Sequence, residues 1–87
     1  MIKVKIFENI INYKLKTITR DELLKYANQF NMKLSKTEAD NIAKYLRSSS
    51  LNMFKDNERA QMIKDIARIA SPDTAREINK LFTTFMK

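Results

Sequence analysis

The chain has 87 residues and a mass of 10.3 kDa, room for one domain and one core. Seventeen Lys and Arg against ten Asp and Glu leave a formal charge of +7, and 44% of residues are hydrophobic, the balance of a globular chain. Gly, Cys, His and Trp are all missing, which excludes phosphate-cradling glycine loops, nucleophile elbows, zinc sites, thiol catalysis and imidazole acid–base chemistry.

Residues 1–6 alternate apolar side chains with Lys, a strand-like period carried by β-branched Ile2, Val4 and Ile6. From Ile6 onward the spacing Ile6, Phe7, Ile10, Ile11, Leu15 is helical, and the reading is a first helix over 3–16. Lys5, Glu8, Asn9, Asn12 and Lys16 fall on one polar arc, and apolar residues fill most of the remainder, interrupted by Lys3 and Lys14. A helix wet on so narrow a side is either central in a bundle or half of an interface. Ile2, Ile6, Phe7, Ile10 and Ile11 are therefore the candidate protein-contact residues.

A second helix, over 20–30, opens on the capping box Thr19-Arg20-Asp21-Glu22, with Ile18 and Leu23 as the flanking hydrophobic staple. Its buried stripe is expected to be Leu23, Leu24, Ala27 and Phe30, with Tyr26 beside it. Asn31 is expected to end it, since Asn tolerates the left-handed conformation where Gly is absent. The same grammar then returns: Leu34, Ser35, Glu38 and Ala39 take the places of Ile18, Thr19, Glu22 and Leu23. This predicts a third helix over 36–47, with Ile42, Ala43 and Leu46 inward and a tight connection between the two helices. That connection is too short and too poor in acids for a calcium loop.

Ser48-Ser49-Ser50 ends the third helix, and Leu51, Met53 and Phe54 predict a packed loop after it. A fourth helix, over 57–70, is expected to begin at an Asp56 or Asn57 cap and to bury Ala60, Ile63, Ile66, Ala67 and Ala70. Ser71-Pro72 then stops it and starts a fifth, over 72–86, with Ser as cap, Pro at the first helical position, and Ala75, Ile78, Leu81, Phe82 and Phe85 on one side. The expected fold is an all-α compact bundle of about five short helices forming a single domain.

Carboxylates are the remaining acid–base groups, but Asp21/Glu22, Glu38/Asp40 and Asp56/Glu58 all sit in first helical turns, where they complement the helix dipole. No pair is placed like a glycosidase or two-metal site, so no catalytic, cofactor or metal residue is expected, and the chain reads as non-enzymatic. Arg59 falls within the apolar face of the fourth helix. Either its stem snorkels to water, or it pairs with a carboxylate or anchors the loop before it. Tyr13, Tyr26 and Tyr45 lie near Lys or Arg and can stack on bases, but Tyr26 and Tyr45 read better as shouldering the core with their hydroxyls wet. The five Met read as gap-fillers.

Two helices across a short turn also occur in DNA-reading modules, and Lys36, Asn41 and Lys44, with Lys64 and Arg68, are the candidate nucleic-acid contacts. Against this, Glu38 and Asp40 repel phosphate, and Lys outnumbers Arg twelve to five, which suits bidentate base recognition poorly. No run approaches a membrane span or a signal peptide, so a cytoplasmic protein is expected. The expected role is an interaction module that meets a protein partner, or a second copy of itself, through the first helix, with nucleic-acid binding as the alternative.

The stretches Ile18-Thr19-Arg20-Asp21-Glu22-Leu23-Leu24-Lys25-Tyr26-Ala27 and Leu51-Asn52-Met53-Phe54, followed by Glu58-Arg59, resemble the YqfT-like family of short uncharacterised proteins of Bacillales. Ile69-Ala70-Ser71-Pro72-Asp73-Thr74-Ala75 and Asn79-Lys80-Leu81-Phe82 resemble that family's C-terminal part. The resemblance implies a small cytosolic bacterial protein and brings no catalytic residue with it.

Overall fold

Apolar residues recurring every three to four positions, punctuated by caps, fold into helices α1 (Ile2–Thr17), α2 (Arg20–Gln29), α3 (Lys36–Ser48), α4 (Asp56–Ile69) and α5 (Pro72–Phe85) in the computed structural model. The structure describes the backbone of residues 2–85 and the side chains of residues 8–84. The alternation of apolar residues and Lys near the start does not yield a strand: α1 is helical from Ile2.

Both capping boxes form. The Glu22 N–H donates to Thr19 Oγ1 at 3.2 Å while Glu22 Oε1 accepts from the Thr19 N–H at 3.1 Å. The Glu38 N–H donates to Ser35 Oγ at 3.1 Å, and Glu38 Oε1 accepts from the Ser35 N–H at 3.2 Å. Each box satisfies donors that a helix start otherwise leaves open. The left-handed residue after α2 is Asn31, at φ 58°. Around it the Met32 N–H donates to Ala27 O at 2.8 Å and the Asn31 N–H to Asn28 O at 3.3 Å, the two bonds of a Schellman motif. Met32 and Ala27 are both buried, which supplies that motif's hydrophobic contact.

This ending corrects the expected α2 stripe. Phe30 is the C-cap residue and is 42% exposed, because the chain turns there and brings Met32 inward in its place.

Helix α3 is the hub, packing against α1, α2 and α4, while α5 packs on α4. Its inward stripe of Ala39, Ile42, Ala43 and Leu46 follows i, i+3, i+4, i+7 spacing and is buried throughout. Two alanines on that stripe let neighbouring helices approach closely. Burying Ile42 and Leu46 stabilises the fold by about 1.5–3 kcal/mol each. On α5, Ala75, Ile78, Leu81 and Phe82 are buried as expected, whereas the Phe85 side chain lies outside the described residues.

The α4 start and face differ from expectation. The N-cap is Lys55 with no side-chain cap, because the Asp56 carboxylate is held by Arg59 and the helix begins one residue early. The inward stripe includes Met62 and Ile66, whereas Ala60 is exposed. Ser71 caps α5 as expected: the Thr74 N–H donates to Ser71 Oγ at 3.1 Å.

Replacing Thr19 or Ser35 by Ala leaves the helix-start donors open. Each single variant is expected to lose about 0.5–2 kcal/mol of unfolding free energy, read from urea midpoints at unchanged m.

Candidate functional site

Helix α1 presents two different sides. Leu15 is buried and Ile11 packs against the core, and Asn12 points the same way. Asn12 Nδ2 donates to Asn52 Oδ1 at 2.8 Å, and Asn12 Oδ1 accepts from the Met53 N–H at 3.3 Å. Asn52 Oδ1 also accepts from the Phe54 N–H at 2.9 Å, and the Asn52 N–H donates to Glu58 Oε1 at 2.8 Å. Asn12 was assigned to the wet arc by periodicity, and the structure turns it inward as the polar clasp between α1 and the α3–α4 loop. A carboxamide does this well, because one side chain both donates and accepts.

Arg59 completes the same loop. Its side chain is 18% exposed, Nη1 donates to Met53 O at 3.3 Å and Nη2 to Asp56 Oδ1 at 2.9 Å. Of its two readings the second holds: Arg59 pairs with a carboxylate, that of Asp56, and anchors the loop through Met53 O. The loop carries Met53, fully buried, with Leu51 and Phe54 packed against the core, so it is a fixed part of the wall beside α1.

A second tie holds the end of α1. Lys14 Nζ pairs with Glu22 Oε2, the carboxylate oxygen that the capping box leaves over. This ion pair, with the Thr19 N–H bond second, lowers the Glu22 carboxyl below its ordinary value, and the same pair raises Lys14.

Ile10 and Tyr13 lie on the other side of α1, 59% and 69% exposed. Ile11 is therefore removed from the candidate contact surface, since it faces the core, and Ile10 keeps its place. The side chains of Ile2, Ile6 and Phe7 lie outside the described residues. Tyr13 also lines a cleft of about 290 Å³ between α1 and the loop, with Asn9, Asn12 and Lys16 on one wall and Ser50, Leu51 and Asn52 on the other.

The candidate nucleic-acid residues are all exposed, and two of them are paired with carboxylates. Lys44 pairs with Asp40 at 3.2 Å, and Arg68 pairs with Asp65. Asp65 also accepts from the Tyr45 hydroxyl at 2.5 Å and from Gln61 Nε2 at 2.9 Å. Burial first, then Asp65, pushes the Tyr45 hydroxyl up to about 12, and its bond to Tyr45 helps hold Asp65 below the ordinary carboxylate value. The Tyr45 hydroxyl is thus bound to protein, not wet. Lys36, Asn41 and Lys64 are exposed on α3 and α4.

A larger hollow of about 450 Å³, lined by Asn31, Lys33, Asp73, Thr74, Arg76 and Glu77, mixes both signs of charge, and Arg76 is paired with Asp73 within it. Among the described residues no group of three or more carboxylates is placed to hold a metal ion, and no helix is long and apolar enough to cross a membrane.

The sequence profile of DUF2624, described as a protein of unknown function, matches residues 3–86. An uncharacterised protein of Bacillus subtilis strain 168, YqfT, is 35% identical over 80 residues, 92% of this chain and 95% of its own length. No solved structure matches the chain.

Two outcomes are expected. Asn12→Ala leaves the Met53 N–H without its acceptor and is expected to cost about 1–3 kcal/mol, with faster hydrogen exchange at the Met53 amide. Glu22 has a lowered folded pKa, so its contribution is present above the ordinary carboxylate value and is lost as pH falls through the folded one. Stability is therefore expected to decline on acidification below that ordinary value of 4.5. In Glu22→Gln the decline is shallower, with the remainder carried by carboxylates such as Asp65.

Proposed function

Given that the chain belongs to the DUF2624 family of proteins of unknown function, we propose that it acts as a non-enzymatic interaction module whose docking face is the outer side of α1. The observation that supports this is the pairing of Ile10 and Tyr13, large side chains one helical turn apart and both well exposed, on a helix whose opposite side is clasped to the body. An exposed apolar pair on a rigidly held helix is preorganised for a partner, because little conformational freedom remains to be lost on docking. The protein acts in the cytoplasm in this reading and uses no cofactor or metal.

The competing reading uses the positive charge, with Lys36, Asn41, Lys44, Lys64 and Arg68 as contacts to nucleic acid. It has less support, because Lys44 and Arg68 already face carboxylates of their own helices and phosphate must displace those pairs.

Capture from a bacterial extract, with and without nuclease, separates the two. Ile10→Glu is expected to stay within about 0.5 kcal/mol of the parent in stability, since the site is exposed, and to lose a protein partner that survives nuclease treatment. Bound material that disappears with nuclease and ignores the Ile10 substitution contradicts the proposal.

A further inference from the structure

Resting on the α1 docking reading, we infer that the occupant of this face is an acidic amphipathic helix of another protein, its apolar ridge on Ile10 and Tyr13 and one carboxylate in the cleft beside Lys16. The cleft of about 290 Å³ opens directly at Tyr13, so one docked element reaches both. The described residues lining it include a lysine, carboxamides and hydroxyls, and no carboxylate. Among the described residues Lys16 forms no ion pair, whereas Lys14, two positions earlier, is neutralised by Glu22. The cleft therefore offers positive potential and hydrogen-bond donors to a group that lacks both, and a carboxylate is that group.

Charge also chooses between occupants. Residues 2–17 contain four Lys and a single Glu, in a chain of net charge +7. A second copy docked isologously sets a segment with the same positive balance against it and brings no carboxylate of the cleft lining to Lys16, so like charges oppose it. Nucleic acid needs several cations along a phosphate track, and the described lining of this cleft has one, Lys16, among carboxamides and hydroxyls. A helix with an apolar stripe and acidic flanks matches both the ridge and the charge, in the helix-in-groove manner.

The test uses the full chain, labelled with ¹⁵N, titrated with synthetic peptides that share one Leu-bearing helical face and carry Glu, Gln or Lys on the flanks. The Glu peptide is expected to bind tightest and to shift the amides of Asn9, Tyr13, Lys16, Ser50 and Asn52. Lys16→Glu, at an exposed position, is expected to keep the parent circular dichroism and weaken the Glu peptide by about tenfold. If the three peptides bind α1 equally well, the acidic occupant is wrong while the α1 docking face stands. If no peptide moves the α1 amides, or the shifts map to another face, both fall. Shifts at α1 that depend on protein concentration without peptide assign the face to a second copy and overturn the inference.

Discussion

The position of α1 depends on a carboxamide facing the wrong way for its helix pattern. Asn12 lies between Asn52 and Met53, donating to one and accepting from the other, and thereby sets which side of α1 meets the body. Rotating α1 to bring Ile10 inward withdraws Asn12 from the loop and leaves the Met53 N–H, in a part-buried setting, without a partner. That penalty is of the same order as burying one more aliphatic side chain, so the polar clasp can hold the helix against the pull of its own outer hydrophobes. The exposure of Ile10 and Tyr13 follows from that balance.

The two capping carboxylates have a further use in the assembly. Glu22 and Glu38 each spend one oxygen closing the start of their own helix. Their second oxygens reach elsewhere: Glu22 Oε2 to Lys14 on α1, Glu38 Oε2 to the Thr74 hydroxyl on α5 at 3.3 Å. A local start signal thus doubles as a tertiary tie on both sides of the hub helix α3. Arg47 adds a third tie, donating from the end of α3 to Ile18 O at 2.8 Å, where α1 passes into α2. With α3 fixed at both ends, its row of Ala39, Ile42, Ala43 and Leu46 can hold three neighbours at once.

Most of the architecture was readable from these start signals and periodicities. Caps are local chemistry, so Thr19, Ser35, Asn31 and Ser71 could be placed without knowing the fold. What periodicity could not reveal was rotation. A wheel on α1 separates polar from apolar but does not know that the loop after α3 will present Asn52, so Asn12 looked wet and Ile11 looked outward. Phe30 failed for a related reason: the pattern assumes the helix continues, whereas the Schellman turn replaces Phe30 with Met32. On α4, Arg59 and Asp56 took each other as partners, which removed the expected cap and shifted the helix start. The resemblance to the YqfT-like family identified the relatives correctly, and the choice of docking face had to come from the side chains.

The orientation of α1 can be tested directly by nuclear Overhauser contacts in the monomeric, labelled protein. The Asn12 side-chain amide should show contacts to the Met53 amide, and the Ile11 methyls should contact core side chains, while the Ile10 methyls show none beyond α1 itself. Contacts from Ile10 methyls into the core, with the Asn12 amide seen only against water, would reverse the two sides of the helix and remove the basis for the proposed docking face.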